Sequence, residues 1–104
     1  MRTTISVRHC EISEALHERA RAVTRRLAQL SPHALDATVV FDAGALASTV
    51  EIRLHARGRK VLVGAGSAQD HRTALDRAEE KLRAQLKKAV SLRRRARKSS
   101  ARSP

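Results

Sequence analysis

The chain has 104 residues, a formal net charge of +12, one cysteine (Cys10) and a single aromatic residue, Phe41. That length suits one domain with one modest core. The lone cysteine rules out an internal disulfide framework, and the composition leaves no aromatic platform on which to stack bases. The charge is also uneven. From His71 onward there are twelve Lys/Arg against three Asp/Glu, whereas the first seventy residues hold ten against seven. A focused basic field of this kind attracts a polyanion. Nucleic acid is the first expectation, an anionic membrane surface the second, and a merely solubilising surface would mix both signs.

The N-terminal MRTTISVRHC lacks the long apolar stretch of a secretory leader, and no segment approaches the eighteen apolar residues of a membrane span. A reducing, cytoplasmic setting is therefore expected. Thr3 to Arg8 alternates as a half-buried strand, with Ile5 and Val7 on one face. Ser13 is a helix cap, and Glu14 and Glu18 suit the positive helix start. Ile12, Leu16, Val23, Leu27 and Leu30 form the apolar stripe of that helix, and Pro32 ends it.

Three strands follow. Ala37, Val39 and Phe41 share a face, as do Val50, Ile52 and Leu54, and Val61, Val63 and Ala65 are expected to make the third apolar set. Gly44 marks one connection, and Arg57-Gly58 marks a tight hairpin. Asp70 caps a second helix whose buried stripe is Leu75, Ala78, Leu82, Leu86 and Ala89 or Val90. The order β-α-β-β-β-α predicts an α+β fold: a two-layer sandwich with a four-stranded, antiparallel-rich sheet and both helices on one face. Residues 1–92 are read as the folded domain and residues 93–104 as a basic flexible C-terminal extension.

With Leu82 at the centre of the buried stripe, Arg77, Lys81 and Lys88 fall on one exposed flank of the second helix, about 100° being added per residue. Arg83 and Lys87 fall on the other flank, with Asp76 and Glu79 nearby, and Arg94 and Arg95 would join the two flanks if the helix continues. Such a ladder can meet phosphates along a groove. Ion pairing within the helix, Glu79 with Arg83 above all, explains part of the pattern. It leaves unexplained the excess of bases beyond residue 86, where no acid remains. Phe41 is in phase with Ala37 and Val39 and belongs to the core, so recognition of folded RNA by shape and backbone charge is favoured over base stacking.

No catalytic constellation assembles. The five histidines are dispersed without an HExxH pattern, and one cysteine makes no zinc site. Gly64-x-Gly66 precedes the second helix, but Gln69 stands where GxGxxG needs its third glycine. Glu79 and Glu80 point about 100° apart on a helix and make a poor acid/base pair. No enzyme, cofactor, metal or small-molecule substrate is expected.

The segments ISVRHCEISEAL (5–16), VEIRLHARGRKV (50–61) and GSAQDHRTALDRAEEKLRAQLKKA (66–89) resemble, in order and spacing, the ribosome hibernation family of hibernation-promoting factor and ribosome-associated inhibitor A. The resemblance implies a domain similar to the double-stranded-RNA-binding fold. It also implies occupancy of the tRNA and mRNA region of the small ribosomal subunit, with the basic second helix against ribosomal RNA. By position, Lys81 and Lys88 match basic places of that helix, and Asp76 matches its acidic one. The sequence departs from the family at Arg19 and Arg72, where aromatics are frequent, and at Ala84 and Val90, where bases are frequent. Arg83, Lys87, Arg93, Arg94 and Arg95 are read as compensating contacts. The rRNA-binding set expected is therefore Arg77, Lys81, Arg83, Lys87, Lys88, Arg93, Arg94 and Arg95. The sequence resembles a short form of the family, monomeric when free. Two other readings stay open: a divergent paralogue that binds a protein partner, and a general RNA- or DNA-binding basic protein.

Overall fold

A computed structural model describes residues 2–31, 33–58 and 60–102, with side chains described as far as Lys88. The elements are β1 (Arg2–Arg8), α1 (Glu14–Leu30), β2 (Ala34–Ala43), β3 (Ser48–Ala56), β4 (Lys60–Ala68) and α2 (His71–Arg102). The expected β-α-β-β-β-α order is therefore present. The four strands lie in the order β1-β2-β3-β4. β1 pairs parallel to β2, and the other two pairings are antiparallel, so the sheet is mixed. The parallel pair follows from the chain path, because α1 carries the chain back between β1 and β2.

Both helices begin where the sequence signals. The Ser13 hydroxyl accepts from the Leu16 amide at 3.1 Å and caps α1. Asp70 accepts from the Thr73 amide at 2.9 Å and from the Thr73 hydroxyl at 2.8 Å. These bonds, the amide first, hold the Asp70 carboxyl below its ordinary pKa. At its end, α1 closes on Ser31, whose amide donates to the Ala28 carbonyl at 3.2 Å. Pro32, expected to stop this helix, lies outside the described residues, as do Met1, Arg59, Ser103 and Pro104.

The core sits between the sheet and the two helices. Phe41, Val39, Val50, Ile52 and Leu54 supply the sheet side, Val23 and Leu27 come from α1, and Leu75, Ala78, Leu82 and Leu86 come from α2. The alternation read in β2 and β3 is the one that is buried. In β4 the phase is the reverse of the one expected. Val61 and Val63 face solvent at 48% and 41% exposure, while Gly64 and Gly66 are buried beneath α2. The reason is steric. A Cβ added at Gly64 would lie 2.6 Å from the Ala78 carbonyl oxygen, and one at Gly66 would lie 2.2 Å from that of Ala74. Only glycine lets α2 approach β4 this closely, so the glycines of VGAGSAQD are packing residues of a strand and not a phosphate loop. The β3–β4 hairpin turns at Gly58, whose φ of +79° is left-handed as the Arg57-Gly58 signal predicts.

Candidate nucleic-acid interface

α2 is the element that positions the basic residues, and its two flanks behave differently. One lies along the outer edge of β4. Here Arg77 Nη1 donates to the Ser67 carbonyl at 2.6 Å, and Gln85 Nε2 donates to the Val63 carbonyl at 2.7 Å. Eight residues of helix span about 12 Å and four of strand about 13 Å, so the two elements stay in step. Lys81 lies midway between these two anchors and lines a shallow cleft of about 290 Å³ that also takes in Arg8, Asp42, Glu51 and Ser67. Lys88 continues the same flank and is exposed. Arg77, Lys81 and Lys88 form no ion pair among the described residues. The three residues grouped by helical periodicity are thus on one side, and one guanidinium nitrogen of Arg77 is committed to the β4 edge.

The other flank faces α1. Asp76 is held by Arg19, with its Nη2 at 2.8 and 3.1 Å from the two carboxylate oxygens and its Nε at 3.2 Å. Glu79, only 8% exposed, is held by Arg26 through two bonds of 3.0 and 3.1 Å. The hydrogen bond to Glu79, outweighing partial burial, raises the pKa of Arg26 above its ordinary value. The expected pairing of Glu79 with Arg83 is not made, because the Glu79 carboxylate turns toward α1. Arg83 consequently has no ion-pair partner among the described residues, and it is half-buried, while Lys87 is exposed. The side chains of Arg93, Arg94 and Arg95 lie outside the described residues, although the α2 backbone is helical through that stretch.

Arg19 and Arg26 were not singled out by sequence reasoning as partners of these acids. A signal existed. They are seven residues apart on α1, and Asp76 and Glu79 fall on the α2 flank that α1 must face. The departure at Arg19 now has a structural role, because it closes the charge of Asp76. The two clamps neutralise the acids of α2 nearest the interface between helices, and among the described residues Arg77, Lys81, Arg83, Lys87 and Lys88 make no ion pair. The chemistry of such a surface suits phosphates, which need charge and donors but no strict base geometry. Among the described residues there is no cluster of metal-ligating side chains, and no helix is long and apolar enough to cross a membrane.

Comparison with known proteins supplies the context for this surface. Residues 3–95 match the family described as Sigma 54 modulation protein / S30EA ribosomal protein. Among solved structures, a ribosomal subunit interface protein from Coxiella burnetii superposes with a TM-score of 0.79 at 20% identity, covering 88% of this chain and 99% of that one. The N-terminal domain of Protein Y from Thermus thermophilus gives a TM-score of 0.73 at 24% identity, covering 85% and 98%. At these identities the two structures establish likeness of fold. No curated protein gives a significant match.

Proposed function

The chain belongs to the Sigma 54 modulation protein / S30EA ribosomal protein family, and from that premise we propose that it is a ribosome-binding translation inhibitor of the hibernation type. It occupies the tRNA and mRNA region of the small subunit and blocks translation by its presence, without chemistry. The observation that carries this reading is the Arg77, Lys81 and Lys88 flank of α2, fixed on a packed core and free of acidic partners among the described residues. Ribosomal RNA phosphates are the counter-charge. Arg83 and Lys87 extend the contact on the second flank, and Arg93, Arg94 and Arg95 add electrostatic affinity within a basic extension of residues 93–104. The free chain is a monomer acting in the cytoplasm.

Sedimentation with purified small subunits tests the reading. Co-migration at moderate salt is expected, falling steeply between about 50 and 200 mM with a log–log slope of roughly −0.7 to −0.9 per phosphate neutralised. Failure to co-migrate with small subunits or whole ribosomes would sink it. Equal affinity for duplex DNA would instead mark a general nucleic-acid binder.

A further inference from the structure

The charge of this molecule is segregated by end as well as by helix flank. The first turns of α1 and α2 lie at one end, together with Glu11, Glu14, Asp42 and Asp70. The opposite end holds the β3–β4 hairpin and the stretch of α2 carrying Lys87 and Lys88. That hairpin presents Arg57 and Lys60, both exposed and both without ion-pair partners among the described residues. Neither was part of the expected binding set.

Three observations join these two bases to the α2 surface. First, Lys60 has the same strand parity as Leu62, Gly64 and Gly66, so it points to the side of the sheet that carries the helices. Second, α2 and β4 keep step from Arg77–Ser67 to Gln85–Val63. The three strand residues from Val63 to Lys60 add about 10 Å, so the hairpin base is level with a point on α2 about one turn beyond Lys88. Third, the hairpin is anchored. The Arg57 amide donates to the His33 carbonyl at 3.0 Å, and Lys60 pairs with Ala56 across the turn. One acid from this end, Asp36, lies on the opposite face of the sheet, where its Oδ1 is 2.7 Å from His55 Nδ1. That contact is an ion-pair distance without hydrogen-bond alignment.

We propose that Arg57 and Lys60 form a second phosphate-binding point, which grips the RNA backbone together with Lys87 and Lys88 and sets which end of the molecule enters the RNA. The proposal rests on the ribosome-binding reading and adds a direction to it. Phosphate contacts of this sort position a protein without reading sequence.

The test compares two double variants of the full chain that remove equal charge: Arg57→Ala with Lys60→Ala at the hairpin end, and Arg21→Ala with Arg72→Ala on α1 and the first turn of α2, away from the proposed contact. All four side chains are exposed, so the fold should persist, and circular dichroism verifies it for each variant. Binding to purified small subunits is then titrated across salt. The hairpin double is expected to lose roughly tenfold in affinity at physiological salt and to flatten the salt slope by about one to two units. The control double should change affinity by no more than about twofold. Equal losses from both double variants, or no loss from the hairpin double, would overturn the proposal while leaving ribosome binding intact. Absence of binding by the unsubstituted chain would overturn the ribosome reading and this proposal together.

Discussion

Glu79 and Asp42 show how single residues tie the layers together. Glu79 is buried and receives two hydrogen bonds from Arg26, which holds α1 against α2 at a level where Leu27 and Leu82 also meet the core. Glu79→Ala leaves Arg26 without its anion and opens a gap at the helix interface. The expected loss is about 1 to 3 kcal/mol, measurable by urea unfolding. Asp42 sits at the end of β2, where His9 and the Ala43 amide bond its carboxylate at 3.1 and 2.8 Å. Its carbonyl oxygen accepts from His71 Nε2 at 2.8 Å. The His9 bond, first among the causes, holds the Asp42 carboxyl below its ordinary pKa. A depressed folded pKa means that the stabilisation is present above the unfolded value of about 3.9 and is lost as pH falls through the folded one. Melting temperature should therefore drop on acidification below about pH 4, and Asp42→Asn should make that acid limb shallower.

At the scale of elements, the docking of α2 on β4 is the arrangement on which the basic surface depends. Gly66→Ala would place a methyl group 2.2 Å from the Ala74 carbonyl oxygen and 2.7 Å from the Ala78 nitrogen, both backbone atoms with little room to move. A destabilisation of at least about 1 to 3 kcal/mol is expected, visible as a lower melting temperature. A Gly66→Ala protein as stable as the original would contradict the close approach. This interface also shows where sequence reasoning succeeded and where it could not. The alternation of Val50, Ile52 and Leu54 made the phase of β3 legible, as did the helical spacing of Leu75, Ala78, Leu82 and Leu86 for α2. In β4 the alternating valines are the exposed ones. Glycine carries no hydrophobic signal, so a strand whose buried face is glycine reads with inverted phase. The grouping of Arg77, Lys81 and Lys88 was legible because it depends only on helical rotation. That Arg77 and Gln85 bond the edge of β4 was not, since it depends on which strand lies beneath that flank.

The whole molecule extends 58 × 26 × 21 Å because α2 outruns the sheet. Its 32 residues span about 48 Å, whereas strands of nine or ten residues span about 30 Å. The same helix thus serves as a core element at one end and as a carrier of charge at the other. Residues 93–104 hold six Lys/Arg and no acid, so deleting them halves the net charge from +12 to +6. The deletion should weaken small-subunit binding at physiological salt and flatten its salt dependence, with little change in melting temperature. Unchanged affinity would reduce that segment to a solvated end. The central claim, that the flank of α2 carrying Arg77, Lys81 and Lys88 meets ribosomal RNA, is tested most directly by a cryo-EM map of the chain on the small subunit. The account predicts density in the tRNA and mRNA region with Lys81 and Lys88 against RNA phosphates. Density with that flank turned to solvent or to a ribosomal protein would contradict it.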